Sequence, residues 1–571
     1  MLGSTDPQMK LLDADEFCGH LVPADSIYRK LAELGDQLFS DTDFADMYDA
    51  RGRHSIPPSL LAKVLLLQTF EGTSDRDTLY RVRCDLRWKV ALHLSVQDEG
   101  FHHTVLTYFR ERLRRSERPR RIFERFKEVA TEAGLLTKRG IRVLDSTPIL
   151  SAVQTEDTVS MIRSAIRRLL ALLDVGSRGE AEAVLRRNDY DQLGKPAIDW
   201  DDEAARVGLV DDLGRDALAV LSMLEGTEVG PDVAREAETL ATVTGQDLEW
   251  DERSGQFRIR RGVARDRVIS TVDPEARHGR KSSQGHFDGY KAHVAVDPET
   301  ELISEIEVTP ANVPDGAVAP ALLPELAEEG AEITAIGDSA YGSGPTRTAL
   351  TEAGATVIAK APPEQNSTGG FPKSAFSIDL TAGSAACPAG FTTTHVSRRA
   401  DGMHFQFPAA VCAHCHLRGS CTSSAQGRTL HVGPYQAILA QARAFQRTQA
   451  FKAQYNGKRP TVERVISRLV RQGGRKARHR GRLRVQERLE LKAAAENFAR
   501  MTMLGLIWTG PDGWTLAQTG DSGPTRATST VRSATCARLV AQLHSLSAQV
   551  TRLGHFQLGP ALRQCHYSAA S

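Results

Sequence analysis

Two short stretches of sequence decide the fold: GIRVLDSTPIL at residues 140–150 and AEITAIGDSAYGS at residues 331–343. Each is a run rich in aliphatic residues that leads into an aspartate, Asp145 in the first and Asp338 in the second. Apolar runs of this length, bounded by turn residues, are typical of short buried strands. We therefore predict two strands that each end on an aspartate, where a rigid sheet would hold the carboxylate facing outward.

The stretches around these two predict the rest of a sheet. Residues 288–297 and 302–310 are short β-branched runs joined by PETE, a plausible hairpin turn. Residues 313–330 have a helical pattern, and residues 355–363, after a helical interval, are predicted to form a further strand. Strands and helices in this order indicate a mixed α/β sheet flanked by helices.

Composition bounds the class of protein. The chain has 571 residues, of which 41% are hydrophobic and 25% charged, which is ordinary globular composition. No stretch approaches the roughly 20 apolar residues of a membrane span, and the first residues lack a signal peptide pattern, so we expect a cytoplasmic protein. The net charge of +1 hides basic clusters near 110–127 and 458–488 and an acidic stretch near 199–252. Such asymmetry favours nucleic-acid binding.

Composition and periodicity also divide the chain into segments. The first of them is helical, as in IPPSLLAKVLLLQTF at 56–70, and ends in a basic helix, which favours an all-helical DNA-binding domain over a bundle with a solvated charged face. The later segments include an acidic helical insertion and a second insertion rich in cysteine. The predicted segments are 1–135 (helical, DNA-binding), 140–156 and 257–362 (catalytic core), 157–256 (acidic insertion), 363–432 (Cys-rich insertion), 433–510 (C-terminal helices) and 511–571 (a tail of unknown structure with one helical pattern at 539–553).

A third acidic residue completes a catalytic constellation. Glu463 lies in a predicted helix that is among the most basic parts of the chain, and a glutamate there would repel DNA unless a cation bridged the two. Carboxylates bind hard cations such as Mg²⁺ together with phosphate oxygens. Two such ions about 3.5–4 Å apart can activate an attacking water or 3′-hydroxyl and stabilise the leaving oxygen. A salt-bridged surface helix is the alternative for Glu463.

Four blocks of the sequence resemble the successive motifs of bacterial insertion-sequence DDE transposases: VLDSTPIL, HGRKSSQGHFDGYKAHVAVD, IGDSAYGS and RPTVERVISRLVRQ. The resemblance implies an RNase H-like catalytic fold whose three acidic residues are Asp145, Asp338 and Glu463. It also implies two Mg²⁺ or Mn²⁺ ions per active site, with double-stranded DNA as the partner. The DNA would comprise the terminal inverted repeats of the element and its target.

The chain departs from the family pattern around the third acid. Arg459 holds the expected arginine position, but Asn456 stands where a tyrosine is common, with Tyr455 beside it. Val470 stands where a lysine is common, with Arg471 beside it. Glu487 and Glu490 are competitors for the third position, although no arginine precedes them in the same way.

Basic residues near these acids are candidates for phosphate contacts, because charge-assisted hydrogen bonds to phosphate oxygens are strong. One group flanks the second predicted strand of the core, and the other surrounds or follows Glu463. The predicted DNA-binding residues are Lys281, Lys291, Arg459, Arg471, Arg480 and Arg482.

The cysteines of the second insertion have metal-ligand spacing. Four of the eight cysteines follow the pattern C-x24-C-x2-C-x5-C, and thiolates at such short spacing bind Zn²⁺ tetrahedrally. A zinc ion would hold together a segment that lacks a strong apolar pattern. Reduced, unliganded thiols are the alternative. The predicted ligands of this structural zinc are Cys387, Cys412, Cys415 and Cys421.

Together these features predict a transposase that binds terminal inverted repeats and catalyses strand cleavage and strand transfer. Because two DNA ends must join in one event, we expect a homodimer or a larger synaptic assembly. A metal-dependent nuclease without strand transfer would use the same carboxylates, and a DNA-binding protein that has lost catalysis is a further alternative. Retention of all three acids argues against the latter.

Overall fold

The computed structural model describes residues 1–4, 12–281, 285–364 and 370–517, so the helix predicted at 539–553 lies outside the described residues. Met1–Leu516 form one compact unit. Within the described ranges, no helix has the length and apolar character needed to cross a membrane. The α-helices are α1 (Ala14–Cys18), α2 (Ile27–Leu38), α3 (Pro58–Glu71), α4 (Asp75–Cys84), α5 (Leu86–Ala91), α6 (Thr104–Arg115), α7 (Arg121–Glu132), α8 (Thr158–Leu170), α9 (Val175–Val184), α10 (Glu203–Leu224), α11 (Pro231–Asp247), α12 (Asp315–Val318), α13 (Gly344–Glu352), α14 (Ala409–Ala413), α15 (Gln436–Gln446), α16 (Gln449–Leu469) and α17 (Arg482–Met503).

The strands form one larger sheet and several small ones. The larger sheet has the order β4-β5-β1-β7-β8, and β6 also pairs with β5. The strands are β1 (Arg139–Leu150), β2 (Leu248–Asp251), β3 (Gln256–Ile259), β4 (Arg277–Arg280), β5 (His286–Val296), β6 (Ile303–Pro310), β7 (Glu332–Gly337), β8 (Thr356–Ala359), β9 (Ser377–Asp379), β10 (Ser384–Ala386), β11 (Thr392–Thr393), β12 (Val396–Arg399), β13 (Gly402–Gln406), β14 (Thr429–Val432), β15 (Leu506–Trp508) and β16 (Trp514–Leu516).

The larger sheet is mixed, which confirms the predicted α/β class. β1 pairs antiparallel with β5 on one side and parallel with β7 on the other, and β7 pairs parallel with β8. β5 turns through the predicted hairpin into β6, which pairs with it antiparallel. The aliphatic side chains of β5 and β6 are almost fully buried, as expected for strands covered on both faces.

Two details of the sheet differ from the predictions. β1 does not end at Asp145 but continues to Leu150, because β5 pairs with it over Val143–Leu150 while β7 pairs only over Arg139–Val143. The single helix predicted over 313–330 is also wrong: α12 is one short turn followed by two 3-10 turns. Prolines recur through this segment, and each removes a backbone donor and clashes with the preceding turn of an α-helix.

The N-terminal helices share a core with the sheet. α17 packs against α3 and α7 on one side and against β6 on the other, and the buried residues from α1 to β6 form one continuous cluster. The rings of Phe126 in α7 and Phe498 in α17 lie 5.7 Å apart. The boundary predicted at residue 135 therefore separates two segments of the sequence, but the hydrophobic core is continuous across it.

The acidic segment has a core of its own. α8 to α11 and the hairpin of β2 and β3 pack on one another around a separate cluster of buried residues that runs from Met161 to Val268. The chain enters and leaves this segment at adjacent points, since the Glu156 amide donates to the Ile269 carbonyl at 2.9 Å. Such a layout is typical of a domain inserted into a loop.

The Cys-rich segment is more regular than its sequence indicates. It contains two small antiparallel sheets, β9 to β11 and β12 to β14, around a compact aromatic core. The strands are only two to five residues long, too short for an alternating pattern to be recognised. The buried residues of this core are Phe376, Ala385, Phe405, Phe407, Leu430 and Val432.

Candidate active site

The sheet register brings two of the three predicted acids together. The parallel pairing of β1 and β7 ends at Val143 opposite Ile336, and Asp145 and Asp338 each lie two residues further along. The carboxyl ends of parallel strands lie at one edge of the pairing, so the two aspartates face the same space. Burial raises the pKa of Asp145, and the nearby charge of Asp338 adds to this shift, which is consistent with the placement of the two aspartates.

Asp338 is held by the turn that follows β7. Its side chain caps the short 3-10 helix Ser339–Tyr341, and its Oδ1 accepts from the Ala340 amide at 2.8 Å. Gly342 then passes so close to the next strand that a Cβ would lie 1.9 Å from the Lys360 carbonyl oxygen. These constraints explain why this segment reads GDSAYG and why the aspartate side chain has one orientation.

A cation from α16 completes the group. The Arg459 Nη2 lies 3.0 Å from the Asp145 Oδ2, and the Arg459 side chain is buried. Tyr455 lies one turn earlier on the same helix and contacts Arg459, while Asn456 is exposed. Tyr455, which is adjacent to the position where the family commonly has a tyrosine, is thus the residue that faces Arg459.

Burial dominates the electrostatics of Asp145. Loss of solvent raises its pKa above the ordinary aspartate value, and the charge and hydrogen bond of Arg459 oppose this shift. A second cation near the carboxylate would stabilise its charged form in the same way. Hard oxygen donors that are partly desolvated and next to a second carboxylate fit a divalent cation.

Tyr341 lines the same space. Burial raises its pKa well above the ordinary tyrosine value, and the charges of Asp315, Asp145 and Asp338 raise it further. Its hydroxyl is buried and has no hydrogen-bond partner within the described part of the chain, and neither does the Arg459 Nη1. Two unpaired donors beside carboxylates indicate a site shaped for a further polar group.

Glu463 lies on α16 one helical turn after Arg459, but its side chain is exposed. The three predicted acids do not form a group whose ligand atoms all lie within 4.8 Å of one another. The competitors are engaged elsewhere: Glu487 forms an ion pair with Arg114, and Glu490 with Arg120 at 2.7 Å. The helix therefore presents Glu463 on the side of the site without bringing its carboxylate into contact with the aspartates.

Sequence reasoning missed Asp315, which lies next to the site. Its carboxylate accepts from the Ser146 hydroxyl at 2.7 Å and from the Lys291 ammonium at 2.7 Å. Asp315 begins the short helix α12 several residues after β6 ends, so no aliphatic run leads directly into it and no pattern in the sequence singled it out. Ser146, directly after Asp145, is thereby fixed to α12.

The predicted DNA-binding residues fall into two groups. Lys291, Arg459 and Arg482 lie near carboxylates of the protein, with Arg482 3.5 Å from Glu307. The other three are exposed to solvent. This exposed group comprises Lys281, Arg471 and Arg480.

All four predicted zinc ligands line one cavity in the Cys-rich segment, together with His416 and aromatic side chains. Burial raises the pKa of the Cys421 thiol, and the other three cysteines raise it further, so the four groups are near neighbours. No three of the four sulfurs lie within 4.8 Å of one another. The cavity thus collects the thiols without holding them at metal-ligand distances.

Comparison with protein families gives two matches. The family described as Transposase domain (DUF772) matches residues 16–112, and the family described as Transposase DDE domain matches residues 386–502. The second range contains Glu463 and the four clustered cysteines, whereas Asp145 and Asp338 lie outside both ranges. No curated protein and no solved structure matched the chain.

The two family matches indicate that this chain is a transposase of the DDE type, an enzyme whose partner is DNA. Together they support an insertion-sequence transposase, and a mixed sheet flanked by helices is consistent with that class. Enzymes with this domain use divalent metal ions, generally Mg²⁺. The carboxylates of Asp145 and Asp338 provide the hard oxygen donors that such ions prefer.

Proposed function

We propose that this transposase binds the terminal inverted repeats of an insertion sequence and performs strand cleavage and strand transfer on an RNase H-like core. The observation that carries the proposal is the placement of Asp145 and Asp338 at adjacent strand positions, with Arg459 donating to Asp145. A rigid sheet fixes both carboxylates relative to each other, as phosphoryl transfer requires.

The proposed ligands of the catalytic metals are Asp145, Asp338 and Glu463. Two Mg²⁺ or Mn²⁺ ions would activate the attacking water or 3′-hydroxyl and stabilise the leaving 3′ oxygen. Arg459 holds the Asp145 carboxylate in one orientation and offsets part of its charge. Since Glu463 is exposed, we infer that bound DNA and metal draw its flexible side chain towards the aspartates.

A cluster of basic residues supports the DNA-binding part of the proposal. Partial desolvation lowers the pKa of His479, and the charges of Arg110 and Arg488 lower it further, so the segment before α17 lies against α6. Burial also lowers the pKa of Arg488, to about 10, with a contribution from Arg478. Crowded cations of this kind are relieved by a polyanion. We define the basic surface by its exposed residues Arg478, His479, Arg480 and Arg484.

The assembly state follows from the reaction. Two element ends must be joined to one target, so we propose a homodimer or larger synaptic complex with symmetric subunits. A nuclease that hydrolyses the same DNA without strand transfer is the alternative function. Pre-cut terminal-repeat DNA separates the two, because only a transposase joins its 3′ ends to a target.

The test compares carboxamide variants of the three acids. Asp145→Asn, Asp338→Asn and Glu463→Gln should each retain binding to terminal-repeat DNA and lose cleavage by at least about 100-fold, because each removes a metal ligand while lessening repulsion of phosphate. Cleavage in Mg²⁺ and binding by gel shift are the measurements.

Glu332→Gln is the matched control, since Glu332 is exposed at the start of β7. It should cleave like the wild type. Normal cleavage by both aspartate variants would overturn the proposed mechanism. If only Glu463→Gln cleaves normally while folded Glu487→Gln or Glu490→Gln is inactive, the third ligand has been misassigned.

A further inference from the structure

The small sheet β12 to β14 has two different faces. Phe405 pairs with Leu430 across β13 and β14, and both side chains are buried in the aromatic core. Because side chains alternate along a strand, the neighbouring pair faces the other way. That pair is His404 opposite His431, so two imidazoles stand side by side on the outer face.

The two imidazoles face each other closely. Their ring centroids lie 4.5 Å apart and the ring planes are inclined by 27°. His404 is mostly shielded, with 16% of its side chain exposed, whereas His431 is 45% exposed. Stacked rings of this kind point their Nε2 atoms in a common direction, towards the turn that connects β12 to β13.

That turn supplies a carboxylate. Asp401 lies 3.0 Å through its Oδ1 and 3.2 Å through its Oδ2 from the His404 Nε2, and its Oδ2 is 3.4 Å from the His431 Nε2. One ligand atom from each of the three residues can be chosen so that all lie within 4.8 Å of one another. Both Nε2 atoms therefore converge on Asp401, and the His431 Nε2 also lies 2.9 Å from the Asp401 backbone carbonyl oxygen.

The position of Asp401 is fixed by its backbone. Arg399 pairs with Gly402, so Ala400 and Asp401 form a two-residue hairpin turn. Gly402 has φ of +132°, and a Cβ there would lie 2.3 Å from the Val432 carbonyl oxygen. The turn is thus held against the end of β14, which fixes the backbone position from which the Asp401 side chain extends.

We propose that Asp401, His404 and His431 bind one divalent transition-metal cation of the class that imidazole favours, such as Zn²⁺ or Ni²⁺. Two imidazole nitrogens and one carboxylate oxygen, at about 2.0–2.2 Å from an ion, are a common ligand set for such cations. The donor separations of 3.0 to 3.4 Å between Asp401 and the two rings suit ligands that share one ion. Water would fill the remaining positions.

This site is separate from the two metal sites considered above. The cysteine cavity includes Phe407 and lies on the core side of the sheet, whereas His404 and His431 lie on its outer face. Its donors are also softer than those of the three catalytic acids. A bound cation would join the β12–β13 turn to β14 and so hold the small sheet together on the face that lacks an apolar core.

Equilibrium dialysis with Ni²⁺ tests the proposal on the untagged full chain, after treatment with a chelator and in the presence of a reductant that keeps thiols reduced. The wild type should bind one more Ni²⁺ per chain than either His431→Gln or Asp401→Asn. His395→Gln, which removes another exposed histidine of the same segment, should bind as many as the wild type. Comparing variants removes the contribution of thiols and catalytic carboxylates.

Amide hydrogen exchange gives a second, local measurement. In the wild type, Ni²⁺ should slow exchange in residues 399–406 and 429–432, and the two site variants should not show this protection. Both variants change exposed side chains, and circular dichroism is the control that shows whether they are folded. Equal Ni²⁺ stoichiometry in the wild type, His431→Gln and Asp401→Asn would overturn the proposal, because the three side chains would then form only hydrogen bonds and ion pairs.

Discussion

Arg459 is the residue that connects the C-terminal helices to Asp145 and Asp338, the aspartates of the proposed catalytic site. It is buried, it lies 3.0 Å from Asp145, and it feels the charges of both aspartates. A buried cation without a partner costs free energy. Removing the Asp145 carboxylate would leave the buried charge of Arg459 without this partner, and water or another carboxylate would have to pair with it. The same arginine therefore serves the packing of α16 and the electrostatics of the site.

His293 provides a prediction on stability and pH. The residue is fully buried in β5, next to Asp145 in the sheet register, and burial lowers the pKa of its imidazole to about 4, with opposing effects from Asp315 and Lys291. The folded pKa lies below the unfolded value of about 6.5, so protonation favours the unfolded chain. Stability from this group is present above about pH 6.5 and is lost as the pH falls towards 4.

The measurement is urea unfolding between pH 7 and 5 for the wild type and His293→Gln. The wild type should lose up to about 1.4 kcal/mol per pH unit more than the variant, whose amide does not titrate. His286→Gln, at the exposed start of β5, should keep the wild-type slope. Parallel slopes for the wild type and His293→Gln would show that His293 does not titrate in this window.

At the scale of elements, the rotation of α16 about its own axis determines which of its side chains face the site. Tyr455, Arg459 and Glu463 are spaced by four residues, so they follow one face of the helix. The buried residues Val462 and Val465 fix that face against the sheet. Residues four apart lie on the same side of an α-helix. This spacing explains why Tyr455 contacts Arg459, although the family pattern has its tyrosine at position 456.

The Cys-rich segment gives a prediction at this scale. Four thiols line one cavity, and a zinc ion at about 2.3 Å from each sulfur would draw them to separations of about 3.8 Å. Protein purified without added metal should therefore contain one Zn²⁺ per chain at the thiols, and Cys412→Ser should lose it and melt at lower temperature. Elemental analysis and thermal melts are the measurements.

The eight cysteines also provide a control. Cys84→Ser replaces an exposed thiol of α4, far along the chain from the cavity, and should keep both zinc and stability. The zinc content of the His431→Gln protein must also be measured, so that zinc bound by the thiols is distinguished from zinc bound by His404 and His431. Reduced, folded protein whose zinc content is unchanged by Cys412→Ser would contradict the thiol site.

At the scale of the whole molecule, the acidic insertion and the rest of the chain have separate cores. Because the insertion packs on itself and its two ends are joined by the Glu156–Ile269 hydrogen bond, replacing residues 157–268 by a short Gly-Ser linker should leave the rest folded. The excised segment should also fold alone. Circular dichroism and cooperative thermal melts of both pieces test this.

The contrasting cut is at residue 135. Since α3 and α7 share a core with α17, separating them exposes apolar surface on both sides, and neither piece is expected to be stable. An insertion that failed to fold by itself, or a core that failed to fold without it, would show that the two cores depend on each other.

The basic surface also belongs to this scale, because its residues, at 478–484, lie against α6, which is far away in the chain. Arg480→Ala with Arg484→Ala should weaken binding to all DNA sequences by about the same factor and make the salt dependence shallower by roughly two counterions. The control pair Arg253→Ala and Arg261→Ala removes exposed charges from the acidic insertion and should leave binding unchanged. Unchanged salt dependence in the first pair would place the DNA elsewhere.

The sequence by itself determined the mixed α/β class, several strands of the larger sheet and the class of enzyme. Aliphatic runs that lead into Asp145 and Asp338 predicted two strands of a mixed sheet, and the motifs around them indicated a DDE transposase. These features are local: a strand is specified by a few consecutive residues, and carboxylate chemistry by residue type. The prolines of residues 313–330 are equally local features, but the helical pattern of this segment led to the wrong prediction of a single helix.

Only the tertiary structure decided which groups meet. The pairing of β1 with β7 sets Asp145 beside Asp338, and the approach of α16 brings Arg459 to them. Asp315 lies next to the site and forms an ion pair with Lys291. The convergence of His404, His431 and Asp401 likewise depends on strand register. These contacts join residues far apart in sequence, so no local pattern encodes them; they follow from how buried faces pack.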